Sequence, residues 1–239
     1  MLTFLIDENL GLHPDQEPWS EVLPRADVST ICTTDLPELD RSVADHEPDI
    51  VFMPIADFHR VLASGDRHYR GLALVTSKFT GGTNLPSVLV VRSDDPAAVV
   101  DDLAGASLGY INRSCSSSYY APAIVVQRLG RSLDEMFVLE PTPPWQGQID
   151  AVISGTVRAT MVLEDVWRST ASNAETTTII GRYDNATGAV IVARDNLVLP
   201  VLLDALLTWK PKPDALFGGF TQYTEAAVAR FFQDLDRLN

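Results

Sequence analysis

Short apolar runs alternate with segments of helical periodicity along most of this chain, and this alternation restricts the fold more than any other feature. Three of the clearest runs are residues 2–6 (Leu-Thr-Phe-Leu-Ile), 49–53 (Asp-Ile-Val-Phe-Met) and 87–92 (Ser-Val-Leu-Val-Val-Arg). Each run ends at polar residues or at proline, as a buried strand does. Strands that alternate with helices at this spacing form a mostly parallel sheet, so the sequence predicts an α/β fold.

The composition of the chain limits its functional class. Its 239 residues suffice for one large domain or two of ordinary size, and 46% hydrophobic residues are ample for a packed core. The formal net charge of −14 argues against a nucleic-acid partner, and no apolar stretch approaches the roughly 18 to 20 residues needed for direct membrane insertion. A small anionic ligand is compatible with this charge, because local donors and dipoles govern a pocket.

The most informative polar segment is residues 112–122, Asn-Arg-Ser-Cys-Ser-Ser-Ser-Tyr-Tyr-Ala-Pro. An apolar run that ends at Ile111 precedes it, and a helical pattern that reaches Gly130 follows. The first turn of a helix has unpaired backbone N–H groups and a partial positive charge, and therefore suits an anion. The hydroxyls of Ser116 to Ser118 can cap this helix, bind a ligand oxygen, or do both.

Patterns typical of catalysis, metals and cofactors are weak in this sequence. Residues 105–109 (Gly-Ala-Ser-Leu-Gly) match a nucleophile elbow, but the helix precedes and the strand follows, which is the reverse of the required order. Cys115 at a helix N-terminus could act as a nucleophile with a histidine partner, or it could simply line a pocket or be buried. The four histidines lack metal-ligand spacing, so we predict no metal site. We also predict no catalytic residue and no cofactor.

The segment 112–122, together with the order of elements, resembles the solute-binding proteins of phosphate, phosphite and phosphonate ABC transporters. In that family a strand leads into Asp-Pro-x-Ser-Thr-Ser-Gly-(aromatic)-x-x-Pro, and Tyr119 and Pro122 keep the last two features. The family's Ser-Thr-Ser, which holds the phosphoryl oxygens of the ligand, would fall on Cys115, Ser116 and Ser117. The family's following glycine is Ser118 in this chain.

Three other segments carry the same resemblance. Residues 49–58 look like the family's strand, Gly-Pro turn and aromatic, with Phe58 where tyrosine is usual. Residues 85–92 look like its first strand crossing between lobes, and residues 148–160 look like the helix, glycine and strand before its second binding loop. The family's Ser-His-Glu is replaced by Pro144, Trp145 and Gln146, so carboxylates for a ligand ammonium group are absent from the pattern apart from Glu164 or Asp165.

The resemblance implies a two-lobed type 2 periplasmic-binding-protein-like α/β fold, with two crossing strands and a ligand cleft between the lobes. Lobe one would comprise residues 1–91 and 192–239, and lobe two residues 92–191. The expected ligand-binding residues are Asn9, Phe58 and Thr83 in lobe one, and Cys115, Ser116, Ser117, Ser118, Tyr119, Trp145, Gln146 and Glu164 in lobe two.

The function implied by the resemblance is that of a solute-binding protein that closes two lobes around a small ligand. The ligand would contain an oxyanion, phosphate- or phosphonate-like, or it would be a carboxylate or a small aromatic compound recognised by Trp145 and Tyr119. An ABC transporter permease would be the partner. The alternative is a cytoplasmic enzyme on the same fold, acting on a small carboxylate or aromatic acid. The first residues contain no export signal, so we expect a cytoplasmic protein, or a periplasmic one if a signal was removed.

Overall fold

The computed structural model describes residues 2–10, 13–26 and 28–238, except for the side chain of Asn9. The strands are β1 (Leu2–Asp7), β2 (Val28–Thr33), β3 (Ile50–Pro54), β4 (Tyr69–Val75), β5 (Ser87–Arg92), β6 (Ala106–Tyr110), β7 (Phe137–Pro141), β8 (Ala159–Leu163), β9 (Thr177–Tyr183), β10 (Ala189–Arg194) and β11 (Phe220–Gln222). The α-helices are α1 (Trp19–Val22), α2 (Leu36–Ala44), α3 (Ile55–Ala63), α4 (Ala121–Gln127), α5 (Leu133–Met136), α6 (Gln146–Ile153), α7 (Glu164–Ser169), α8 (Asn173–Thr176), α9 (Pro200–Thr208) and α10 (Glu225–Asp236). A π-helical turn, Ser116–Tyr120, runs directly into α4.

The chain divides into two compact units, each built around its own sheet. The first unit comprises residues 1–83 and 188–227, and the second comprises residues 84–187 and 228–239. These boundaries differ from the expected ones at 91/92 and 191/192. The reason is hydrogen bonding: β5 pairs only with strands of the second sheet and β10 only with strands of the first, so the chain changes unit in the loops before β5 and after β9.

The sheet of the first unit has the strand order β11-β4-β10-β3-β1-β2. β1 runs parallel to β2 and β3, whereas β10 is antiparallel to β3 and β4. All five residues of β3 are buried, which explains why its sequence is a continuous apolar run and not an alternating pattern.

The sheet of the second unit has the order β7-β6-β8-β5-β9. β6 runs parallel to β7 and β8, so these three strands end at the same edge of the sheet, which we call the carboxyl edge. β5 is antiparallel to β8 and begins at this edge, because Ser87 pairs with Leu163. The segments that follow the three parallel strands therefore gather at one edge.

The segment between β5 and β6 is mostly irregular, although Pro96 could begin a helix there. Only a 3-10 turn at Val100–Leu103 forms. The carboxylate of Asp102 accepts the backbone N–H groups of Ala98 (2.9 Å) and Val99 (3.1 Å), and this local cap replaces the first helical turn.

The C-terminal helix α10 is attached to the second unit through a buried carboxylate. Asp234 is 1% exposed and accepts the hydroxyl of Tyr183 at 3.0 Å. Three guanidinium groups surround the same carboxylate: those of Arg128 (3.1 Å), Arg230 (3.5 Å) and Arg237 (3.1 Å). Removing one partner of a buried charge that is hydrogen-bonded and paired in this way is destabilising, so the packing of the helix depends on this carboxylate.

We expect Asp234→Asn to lower the free energy of unfolding by about 2 kcal/mol, because the amide leaves a buried tyrosine and half-exposed arginines without their anion. Urea denaturation measures this change. The matched control is Asp204→Asn on α9, whose carboxylate is exposed and lies 3.7 Å from Arg25, and which should change stability by less than about 0.5 kcal/mol. Equal effects of the two substitutions would contradict the role assigned to Asp234.

Candidate functional site

The polar segment after β6 folds into a tight turn followed by a helix. The N–H of Cys115 donates to the carbonyl of Asn112 at 3.3 Å, and the N–H of Ser114 donates to the side-chain oxygen of Asn112 at 2.9 Å. The helix then opens with wide π geometry, in which the N–H of Tyr120 reaches the carbonyl of Cys115. Pro122, which has no N–H, stands where ordinary helical bonding begins. Single π turns inside helices occur frequently at functional sites.

Cys115 caps this helix. Its sulfur accepts the N–H of Ser118 at 3.4 Å and lies 3.3 Å from the hydroxyl oxygen of Ser117. The thiol is therefore engaged by the first helical turn, which favours a capping role over the nucleophilic alternative.

Ser118 connects the helix to the sheet. It is fully buried, and its hydroxyl oxygen accepts the N–H of Ile111, the residue after β6, at 3.1 Å. This bond holds the beginning of the helix against the end of the strand. The hydroxyl of Ser118 thus positions the turn, and its role in ligand binding stays a prediction.

Ser116 differs from its neighbours because its hydroxyl is buried and unpaired. The residue is 7% exposed, and its Oγ has no hydrogen-bond partner among the residues that the structure describes. An unsatisfied buried hydroxyl costs about 1 to 3 kcal/mol. The first N–H groups of a helix also have no intrahelical acceptor, so an oxygen-bearing ligand at this turn would satisfy both kinds of donor.

Two further unpaired hydroxyls lie at the carboxyl edge, and neither was among the residues expected from the sequence. Ser87 begins β5 and is fully buried. Thr187 is 1% exposed, and its backbone forms an isolated β-bridge with Asn84. Neither side-chain hydroxyl has a hydrogen-bond partner within the described part of the chain. A polar residue at the first position of an otherwise apolar strand was the available signal for Ser87.

Trp145 and Gln146 begin α6 at the same edge. Trp145 has φ 59° and ψ −115°, a conformation that a bulky residue adopts only when its surroundings impose it. The side chain of Gln146 exchanges two hydrogen bonds with Asn173, at 3.0 and 3.1 Å. Gln146 was predicted to bind ligand, but its amide is already used to join α6 to α8.

Glu164, the first residue of α7, is paired with two arginines. Its oxygens lie 2.7 Å from Arg168 and 2.6 Å from Arg182. The hydrogen bond from Arg182 outweighs burial and lowers the pKa of Glu164 below its ordinary value. Both oxygens are occupied, so Glu164 would have to release an arginine before it could receive a ligand ammonium group.

The predicted residues of lobe one lie in the first unit. Phe58 is 1% exposed and packs edge-on against the ring of Tyr223, with 5.9 Å between centroids, so its ring belongs to the core. Thr83 is partly exposed at the end of the loop after β4, and the side chain of Asn9 lies outside the described residues. Tyr119, in the second unit, is half-buried and accepts a hydrogen bond from Arg113 at 3.2 Å.

Neither a metal cluster nor a membrane-spanning helix is present in the part of the chain that the structure describes. Residues 2–10, 13–26 and 28–238 contain no group of three or more His, Cys, Asp or Glu side chains arranged to hold a metal ion. No helix within those ranges has both the length and the apolarity needed to cross a bilayer.

Comparison with known protein families gives a match that covers most of the chain. Residues 20–216 match the model of a family described as "ABC transporter, phosphonate, periplasmic substrate-binding protein". A comparison with curated proteins found no match.

Solved structures with the same fold cover almost the whole chain. One is a binding protein component of an ABC phosphonate transporter from Pseudomonas aeruginosa: 15% identity, TM-score 0.75, covering 99% of this chain and 86% of that one. Another is PhnD1 from Prochlorococcus marinus in complex with methylphosphonate: 14% identity, TM-score 0.73, 100% and 98% coverage. A third, from Xanthomonas citri and bound to chloride, has 16% identity, TM-score 0.74, and 99% and 98% coverage. At these identities the likeness shows the fold alone, and it confirms the predicted fold class.

The ion pairs of Glu164 make the stability of the protein depend on pH. Because the pKa of Glu164 is lower in the folded protein, the stabilisation is complete above the ordinary glutamate pKa of about 4.3 and is lost as the pH falls through the lowered pKa. We expect Glu164→Gln to reduce stability at pH 7 by about 1 to 2 kcal/mol, and to flatten the acid limb of the stability curve.

Urea denaturation between about pH 3 and pH 7 measures this dependence. Glu140→Gln, at an exposed position of β7, is the matched control and should leave the curve unchanged. An acid limb in Glu164→Gln as steep as in the wild type would refute the assignment.

Proposed function

The chain belongs to the family of periplasmic substrate-binding proteins of phosphonate ABC transporters, and on this premise we propose that its second unit binds the oxyanion of a small ligand at the turn Ser116–Tyr120. Membership of the family confirms the predicted resemblance and the predicted function of a small-ligand solute-binding protein. The alternative of an enzyme on the same fold is not favoured by the comparisons.

The unpaired hydroxyl of Ser116 carries the proposal about the site. It is the one member of the polar cluster Cys115 to Ser118 whose side chain is buried without a partner in the described structure. A phosphoryl oxygen that accepts this O–H and the neighbouring backbone N–H groups would replace an unsatisfied donor with charge-assisted hydrogen bonds. The net charge of −14 does not oppose this, because donors within hydrogen-bond distance dominate the local potential.

The neighbours of Ser116 act together with it in this proposal. Ser117 supplies a second hydroxyl, since its contact with the sulfur of Cys115 is a weak hydrogen bond that leaves further capacity. Cys115 and Ser118 hold the turn in shape.

We propose a phosphonate without an ammonium group as the ligand. The family description names phosphonate, and the related PhnD1 was solved with methylphosphonate. The carboxylate of Glu164, the expected partner for an ammonium group, is paired with Arg168 and Arg182. An aminoalkylphosphonate would therefore meet no ready acceptor at Glu164, whereas an alkylphosphonate does not need one.

The family also suggests a partner protein and a cellular location, and we propose both. A periplasmic substrate-binding protein delivers its ligand to the permease of the transporter, so we propose a permease as the partner and a location outside the cytoplasmic membrane. Fractionation of the native producer tests the location, and recovery of the protein only in the cytosol would contradict it.

We expect Ser116→Ala to weaken the binding of methylphosphonate about tenfold or more, because a hydrogen bond to a charged group contributes about 1.5 to 3 kcal/mol. Isothermal titration calorimetry measures the change. The matched control is Ser154→Ala, at the C-terminal end of α6 and therefore away from the carboxyl edge, which should bind as the wild type does.

Two results would contradict the proposed site. One is a Ser116→Ala variant that folds and binds methylphosphonate with unchanged affinity. The other is a wild-type protein that gives no binding heat and no thermal shift with methylphosphonate, phosphite or phosphate at millimolar concentration.

A further inference from the structure

Among the described residues of the second unit, one cationic side chain has no carboxylate partner. Within residues 84–187 and 228–238, every other arginine has a carboxylate oxygen no more than 3.9 Å away, and the unit contains no lysine or histidine. Arg113 has no such partner among the described residues and is exposed. In a chain with 32 acidic residues against 18 basic ones, an unpaired guanidinium is a distinctive local feature.

Tyr119 holds the side chain of Arg113 in place. The guanidinium lies over the tyrosine ring, 5.5 Å from its centroid, and Nη1 donates to the tyrosine hydroxyl at 3.2 Å. The ring of Tyr119 is in turn supported by Tyr110 (6.1 Å between centroids) and by Tyr120 (5.4 Å). A guanidinium held in this way loses less conformational freedom when it binds an anion, and it keeps N–H donors that Tyr119 does not use.

The position of Arg113 brings it close to the oxyanion turn. It lies at the corner of the turn Asn112–Cys115, three residues before Ser116, so their Cα atoms are at most about 11 Å apart. Its contact with Tyr119 shows that the side chain runs along the first turn of the helix and not away from it. A ligand whose first oxyanion sits at Ser116 can therefore present a second group to Arg113.

We propose that Arg113 is a specificity-determining residue that binds a second anionic group of the ligand. The preferred ligand class is then a phosphonate with a further carboxylate or phosphoryl group, and not a simple alkylphosphonate. This inference rests on the proposed oxyanion site at Ser116 and extends it. The arginines near Glu164 do not take this role, because Glu164 already occupies them.

Calorimetric titration with methylphosphonate and with phosphonoacetate tests the inference, since the second compound adds only a carboxylate to the first. The wild-type protein should bind phosphonoacetate more tightly. Arg113→Gln should lose about tenfold in affinity for phosphonoacetate and less than about threefold for methylphosphonate. Arg113→Lys keeps the charge but not the planar fork, and should lie between the two.

Matched controls separate a direct contact from the effect of net charge. Arg41→Gln, an exposed arginine of α2 in the first unit, removes the same charge and should change neither affinity. Raising the salt concentration should reduce the preference for phosphonoacetate in the wild type and leave Arg113→Gln nearly unaffected.

The outcomes distinguish this inference from the function on which it rests. Equal losses for both ligands in Arg113→Gln would mean general attraction of anions and would overturn the inference, and so would no loss for either. Wild-type binding of methylphosphonate without a preference for phosphonoacetate would overturn the role of Arg113 and leave the oxyanion site intact. No binding of either ligand by the wild type would overturn both.

Discussion

The parallel arrangement of β6, β7 and β8 is the constraint on which the proposed site depends. Strands that run in the same direction end at the same edge, so three segments far apart in sequence, which follow residues 110, 141 and 163, begin close together. β5 enters from the same edge and brings the buried hydroxyl of Ser87 with it. The polar residues owe their proximity to the direction of these strands, whereas their individual roles are decided by local hydrogen bonds.

Those local hydrogen bonds divide the polar cluster after β6 into residues that shape the turn and one residue whose hydroxyl can still bind a ligand. The thiol of Cys115 and the hydroxyl of Ser118 each accept a backbone N–H, and so they fix the helix start. The hydroxyl of Ser116 makes no bond within the described structure although it is buried. The same contrast holds for charge, since Arg113 is the arginine of the described second unit without a carboxylate. We therefore propose that Ser116 and Arg113, whose side chains lack these partners within the described structure, determine ligand specificity.

The fold could be predicted from the sequence because burial on both faces of a sheet leaves continuous apolar runs, as in residues 50–54 and 88–91. The boundaries between the two units could not be predicted from the sequence. An apolar run shows that a strand is buried but not which sheet it joins, and the hydrogen bonds of β5 place it wholly in the second unit. The attachment of α10 also depends on a buried carboxylate, Asp234, and its partner Tyr183, which lies 51 residues earlier.

The hydrogen-bond partners of the expected site residues could not be predicted from the sequence, because they are distant along the chain. Gln146 and Glu164 were expected to meet the ligand, but Asn173 and Arg182, distant in sequence, engage their side chains. Phe58 occupies a core position that its apolar character allowed but did not require. A sequence motif identified the serine turn, whereas only coordinates show which of its hydroxyls is unpaired.

A crystal structure of the protein with methylphosphonate would locate the bound oxyanion directly. We expect a phosphoryl oxygen within about 2.5 to 3.0 Å of the Oγ of Ser116, with the first backbone N–H groups of the helix directed at the same group. A phosphonate bound elsewhere, with the hydroxyl of Ser116 paired to a protein group, would contradict it.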